Sequence, residues 1–359
     1  MITLPTAWKS LLSIAGFALL LRVLVFVIAS QRGHISIERY VSKGDTASYI
    51  ANAAAMCGDV SWNNLDVYHW RVFPGYPAMI AIVHSLGVPL AWAALIVTWI
   101  SAATAAMLAA MVFEDLRVGW AMTCLIPHYL INSSLGMSEA PLLAMVCAGM
   151  LACRKDRMIL AGAAFAFAGM IRPPACFAVA GAALMLMQKR DWRQLMMLTG
   201  ATTMFFLTAA LAYHLWTGDA LRGIHVYASH PGAYDGHLFG WPFQSLLNTP
   251  ARDHASIGRI IYIWVHVILT MIGCVLCVVQ ARSGRTVDVI SMPWLIGNTI
   301  FVLCIGSVWG FRHFPRFTIP AAPAMFWACR TIFPKHAGCW FLIAIPIVVM
   351  AVGGVIESP

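Results

Sequence analysis

Apolar runs long enough to cross a bilayer recur from one end of this chain to the other, and they fix the solvent it folds in. Of 359 residues, 61% are hydrophobic and only 10% are charged, against about 45–50% and about 25% in soluble domains. So few charges cannot cover a water-facing surface. In lipid every backbone N–H and C=O must be satisfied inside its own segment, and the runs are too long for barrel strands, so helices are the only solution. The expected fold is all-α: a polytopic transmembrane bundle of about eleven spans forming a single integral membrane domain over residues 1–359. The bilayer is its first partner. The net charge of +9 sits in short clusters between apolar runs, which reads as topology and not as a nucleic-acid footprint.

The spans fall at 8–29, 90–112, 118–136, 138–153, 158–171, 173–187, 195–216, 261–280, 288–308, 317–332 and 338–356. One further apolar stretch, 77–87, has about half the length a span needs. If it stays on one side, the connections facing the N-terminal side carry twelve basic and five acidic residues, and the opposite side carries ten and nine. The basic excess then lies inside, as the positive-inside rule requires. If it crossed, every later basic cluster would flip outward. The stretch is therefore read as a short helix in the outer interface. Two substantial outer loops follow, 30–89 and 217–259, and chemistry that needs water and room belongs there. The first run, Trp8 to Ala29, lacks a cleavage site and should stay in the protein. The ten cysteines fall mostly in apolar runs with no metal-ligand spacing, and no metal is expected. Residues 158–171 and 173–187 are too short to cross comfortably. They read as a hairpin whose tip, Ile171-Arg172-Pro173-Pro174, carries an arginine at membrane depth, itself a functional signal.

Loop one opens with Lys43-Gly44-Asp45-Thr46-Ala47-Ser48-Tyr49 and closes with Tyr68-His69-Trp70-Arg71-Val72-Phe73-Pro74-Gly75-Tyr76-Pro77. Ala47, Ile50, Ala51 and Ala54 share one helical face, which predicts an amphipathic interfacial helix over 46–57 with Asp45 at its N-cap. An Asp soon after the first span, a Tyr four residues on and an Arg-x-Phe-Pro-x-Tyr-Pro segment resemble the GT-C superfamily of membrane glycosyltransferases. The likeness is to the polyprenyl- or dolichyl-phosphate-mannose-dependent enzymes, the GPI mannosyltransferase type included. Asn132-Ser133-Ser134-Leu135-Gly136-Met137-Ser138-Glu139 is similar to the Ser-Glu segment at the outer end of a later helix in those enzymes. The likeness covers roughly residues 40–80 and 130–145. Many members carry paired acids in loop one, whereas Thr46 follows Asp45 here, so metal use is placed in doubt.

The resemblance implies that Asp45 is the base. The chemistry agrees: transfer from a lipid-phosphate sugar needs a base for the acceptor hydroxyl, and a partly apolar pocket would raise the pKa of Asp45 toward that task. Cations must meet the leaving phosphate, and the guanidinium fork suits it. Arg172, Arg312, His313 and Arg316 are the candidates for the donor phosphate. Glu139, Tyr49, His69, Arg71, Tyr76, His225 and Tyr227 are the candidates for the sugar and acceptor. No cofactor is expected beyond the polyprenyl-phosphate sugar itself. The expectation is an inverting transferase moving a mannose-like sugar to a glycan, lipid or protein acceptor. It would sit in a bacterial inner membrane, or the endoplasmic reticulum in a eukaryote, with its site on the periplasmic or lumenal face. Two rivals stand beside it. An O-antigen-ligase-like enzyme with a diphosphate-linked donor would place the chemistry on Arg222, His225 and His230 of loop two. A transporter would show repeat symmetry and midplane breaks.

Overall fold

The computed structural model describes residues 4–42, 44–220, 222–229, 239–252, 255–306 and 308–357. Among them the chain is helical, with a single isolated bridge between Phe239 and Ile305. In order the helices are α1 (Leu4–Gly33), α2 (Ile37–Val41), α3 (Thr46–Cys57), α4 (Gly75–His84), α5 (Leu90–Phe113), α6 (Leu116–Cys124), α7 (Pro127–Ser134), α8 (Glu139–Arg154), α9 (Met158–Ile171) and α10 (Ala175–Gln188). They continue with α11 (Trp192–Thr217), α12 (Arg222–Ser229), α13 (Gln244–Arg252), α14 (Ile257–Ala281), α15 (Thr286–Leu303), α16 (Val308–Arg312), α17 (Phe314–Thr318), α18 (Ala322–Ala328) and α19 (Ala337–Glu357).

Five of the described helices are long and apolar enough to cross a membrane: α1 from Trp8, α5, α11, α14 and α19 to Ile356. The protein is a polytopic helical membrane protein. Alpha11 is buried only at Leu198 and Tyr213 and turns Met204, Phe205, Leu207 and Leu211 outward, as a helix on the rim of a bundle in lipid must.

The remaining apolar segments depart from plain spans, and the prolines and glycines say why. The span expected at 118–136 is two short helices, because Ile126 is extended (φ −113°, ψ 101°) and Pro127 starts a new helix. Alpha7 and α8 then meet at an angle of 107° across residues 135–138. There Gly136 has φ +79°, a conformation that costs a residue with a Cβ about 1–2 kcal/mol. The expected 317–332 span is likewise broken into α17, a 3₁₀ turn at Ile319–Ala321, α18 and a second 3₁₀ turn at Arg330–Ile332, with Pro315, Pro320 and Pro323 at the breaks. The predicted 158–171/173–187 hairpin forms as α9 and α10, with Arg172 capping α9 in an extended conformation.

Packing runs α1 on α5, α5 on α8, α8 on α9 and α9 on α11. Alpha10 lies against α15, and α15 against α14. The half-length stretch appears as α4, ten residues long. It rises about 15 Å against a hydrocarbon core of about 30 Å. It wedges between α3, α5 and the end of α9. A Cβ on Gly75 would stand 2.8 Å from the Met170 carbonyl carbon and oxygen, so only glycine lets loop one seat against the tip of α9.

A candidate active site on the first loop

The turn that breaks α7 from α8 is the foundation of the site. Its carbonyls are met from loop one: Thr46 Oγ1 donates to Leu135 O at 2.9 Å and Tyr76 Oη to Gly136 O at 2.7 Å. Tyr49 Oη and Ser138 Oγ share a hydrogen bond at 2.7 Å, and the rings of Tyr49 and Tyr76 meet edge to face at 4.8 Å. These contacts fix α3 and the start of α8 to one another. Asp45 and Glu139, the residues just outside and just inside those helices, are thereby brought side by side.

Helix α3 forms over the predicted residues, and its buried side mixes polar Thr46, Ser48, Tyr49 and Asn52 with Ala53, Ala54 and Ala55. Of the predicted apolar face, Ala54 is buried while Ala47, Ile50 and Ala51 are half-buried, which suits an interfacial helix. Asp45 holds the N-cap position, yet its side chain makes no cap hydrogen bond. It faces cations instead. Arg71 Nη2 reaches Asp45 Oδ1 at 2.5 Å, and Arg316 Nη2 lies 2.8 Å from Asp45 Oδ2. Arg316 Nε also reaches Glu139 Oε1 at 2.5 Å, and the same oxygen accepts from Arg172 Nη1. Asp45 keeps 24% of its side-chain surface exposed, whereas Glu139 has none. Three guanidinium groups and two carboxylates from five separate elements thus form one ion-pair network centred on Arg316.

The expectation of a raised pKa at Asp45 is overturned. Burial pushes the carboxyl up, but Arg316 and then Arg71 more than offset it, and the group stays well below the usual carboxylate range. In the structure Asp45 is a firmly ionised acceptor.

Of the other predicted residues, His69 borders the site: its Nδ1 lies 3.0 Å from Ser48 Oγ and its carbonyl accepts from Asn52 Nδ2 at 2.7 Å. Tyr76 is fully buried, with its hydroxyl at 2.6 Å from Thr98 Oγ1 as well as on Gly136, so it braces the turn and does not face a cleft. His313 stands just before α17, where burial and then Arg316 hold its imidazole down at about 3. Arg312 is half-buried at the end of α16. Loop two lays α12 over loop one, with the Arg222 guanidinium 3.2 Å from the centre of the Trp70 ring. His225 is exposed and pairs with Asp219 at 2.7 Å, not with the network. The side chain of Tyr227 and all of His230 lie outside the described residues. Among the described residues no group of three His, Cys, Asp or Glu is placed to hold a metal ion.

Sequence reasoning passed over a second buried charge. Arg22 of α1 is wholly buried, donating from Nε to Ser133 Oγ at 3.0 Å and from Nη1 to Ala18 O at 2.8 Å beneath the Tyr129 ring. It ties the first span to the helix that ends in the critical turn. The signal was a lone arginine in an otherwise apolar span.

No protein-family model and no curated protein matches the chain. Among solved structures it is similar to the crystal structure of ArnT from Cupriavidus metallidurans bound to undecaprenyl phosphate, with a TM-score of 0.55 and 14% identity over 91% of this chain. The fold is ArnT-like. The chain spans 62% of the length of that ArnT. The likeness covers 91% of this chain and is not confined to the short stretches at 40–80 and 130–145.

Proposed function

We propose that this protein is a membrane glycosyltransferase that takes a sugar from a polyprenyl-phosphate donor, with Asp45 as the general base. The observation that carries the reading is the network around Arg316: a partly exposed carboxylate set among one buried and two half-buried guanidinium groups at the edge of a loop. An anionic lipid phosphate needs such cations, and a hydroxyl nucleophile needs such an acceptor. The ArnT neighbour, crystallised with undecaprenyl phosphate, supports a lipid-phosphate ligand. In this reading Arg172 and Arg316 meet the donor phosphate, Glu139 and Tyr49 shape the acceptor side, and attack opposite the leaving phosphate inverts the anomeric carbon. A mannose-like sugar and an outer-face site remain parts of the proposal that rest on loop-one resemblance and charge asymmetry.

The low pKa of Asp45 is compatible with this role only if one of its cations is drawn away when substrate arrives. The test is transfer from a radiolabelled polyprenyl-phosphate sugar by protein in lipid nanodiscs. Asp45→Asn should lower turnover by about 10²–10⁴-fold, the usual worth of a positioned base. A correctly inserted Asn variant that transfers sugar at the wild-type rate would remove the mechanism.

A further inference from the structure

The contacts of Arg316 are unequal. Its Nε makes an aligned hydrogen bond to Glu139 Oε1 at 2.5 Å, while its Nη2 lies 2.8 Å from Asp45 Oδ2 without hydrogen-bond alignment and is buried. One guanidinium thus meets a carboxylate at each edge, with the better-aligned contact on Glu139. The charges close on themselves as well. Arg71, Arg172 and Arg316 against Asp45 and Glu139 leave one net positive charge, which a phosphodiester with its single negative charge would neutralise. A partly buried cluster with one net positive charge attracts a monoanion.

We propose that Arg316 is a positioning residue that couples donor binding to release of the base: its Nη2 edge moves from Asp45 to the donor phosphate, pivoting on Glu139, and Asp45 is left to accept the acceptor's proton. This rests on the function proposed above and goes beyond it in naming how the base is unmasked. The transfer balances. The acceptor oxygen forms its bond to the anomeric carbon and gives its proton to Asp45. The bond from that carbon to the phosphate oxygen breaks, and its electron pair stays on the phosphate. The carboxylate goes from minus one to neutral while the lipid phosphate goes from minus one to minus two. The net charge of the cluster is the same before and after, and the added phosphate charge sits where Arg316 has moved. The groups facing Asp45 are Arg71 from the 3₁₀ turn at Val67–Arg71, Arg316 and His313 around α17, Arg172 at the end of α9, Tyr49 of α3 and Glu139 of α8. Of these, Arg316 is the cation whose removal raises the proton affinity of Asp45 most.

The product state can be made without turnover, by binding a polyprenyl monophosphate. Calorimetry at pH 7 in two buffers of different ionisation enthalpy reads the protons taken up per lipid bound. The lipid's own titration, with a pKa near 6, shifts with the charges around it, so it is read separately in each variant from the phosphorus chemical shift of the bound lipid and subtracted. Wild-type protein should take up at least half a proton more than Asp45→Asn. Arg316→Lys keeps the charge but loses the two-edged fork, so it should bind about tenfold more weakly and lose the extra uptake. Thermal unfolding of both variants checks that they are folded. Equal uptake by wild type and Asp45→Asn, with binding intact, overturns the coupling while leaving the lipid-phosphate reading in place. Wild-type uptake retained in Arg316→Lys removes Arg316 from it. No binding of the lipid phosphate by wild type overturns the functional reading itself, and the coupling with it.

Discussion

Glu139→Gln and Asp45→Asn should separate the two carboxylates into one that holds the site together and one that does its chemistry. Glu139 is wholly buried, and a single oxygen of it takes both Arg172 and Arg316. A neutral amide there leaves Arg172 with the Phe317 ring, 5.8 Å from its guanidinium carbon, and the longer-range attraction of Asp45. Removing one partner of a buried ion pair costs about 3–5 kcal/mol, and because Arg172 is 17% exposed the lower end applies. Asp45 is 24% exposed. Its loss leaves Arg316 on Glu139, so about 1 kcal/mol is expected. At roughly 2 °C per kcal/mol for a chain of this size, Glu139→Gln should lower the unfolding temperature by about 6 °C and Asp45→Asn by about 2 °C. The assay is intrinsic-fluorescence unfolding in detergent at pH 7, run beside sugar transfer. The pH at which it is run matters little for Asp45. Its folded pKa is depressed, so its contribution is complete above the unfolded value of about 3.9 and is lost only as pH falls below that. A Glu139→Gln protein that unfolds within 2 °C of wild type would refute the claim that the buried pairs hold the network. An Asp45→Asn protein as unstable as Glu139→Gln would refute the division of labour.

Gly136→Ala should cost about 1–2 kcal/mol, since φ is +79° and the new Cβ would stand 3.2 Å from Thr46 Cγ2, and it should show as a lower unfolding temperature with loop one loosened to proteolysis. Tyr76→Phe removes the donor to Gly136 O and the contact to Thr98, and a drop in stability of about 1–3 kcal/mol by the same unfolding assay is expected. His313 is held at about 3, so it binds fewer protons folded than unfolded: the stability it contributes is whole above its unfolded pKa of about 6.5 and is lost as pH falls toward 3. The unfolding temperature of wild type should therefore fall more steeply between pH 6.5 and 4 than that of His313→Gln. A transfer-rate profile between pH 5 and 8 should carry no step that His313→Gln removes.

The legible parts of this fold were those set by length and periodicity. The long apolar runs emerge as α1, α5, α11, α14 and α19, and the hairpin tip at Arg172 and the limits of α3 agree with the prediction to within a few residues. Asp45, Arg71, Glu139, Arg172 and Arg316 were each picked out singly, and the structure joins all five. What could not be read was the joining. Hydropathy averages over a window, so it does not see that Pro127, Gly136 and Pro320 interrupt apolar segments with no loss of apolar character. A cap position likewise predicts a backbone partner for Asp45, and local spacing holds no trace of an arginine 271 residues further on. Tyr76, a candidate for the sugar and acceptor, is fully buried with its hydroxyl on Gly136 O, because a tyrosine serves equally well as a buried brace.

The breaks in the helices and the charges of the site require one another. Irregular backbone in a membrane protein survives only where protein or water satisfies it. At residues 135–137 the carbonyls are met by Thr46, Tyr76 and, at 3.5 Å, Thr98. Had α7 run straight into α8, those carbonyls would be spent within the helix, and Thr46 and Tyr76 would have nothing to grip. The 107° bend instead exposes a short run of acceptors that draws loop one down, and it aims the first residue of α8, Glu139, at the start of α17. The proline-broken segment at 314–323 does the same from the other side, ending a helix where Arg316 can reach two carboxylates at once. The hydrogen bonds that repair the broken backbone are the ones that set the acid and base groups in place. A substitution that straightened either break would therefore dismantle the ion-pair network without touching a charge.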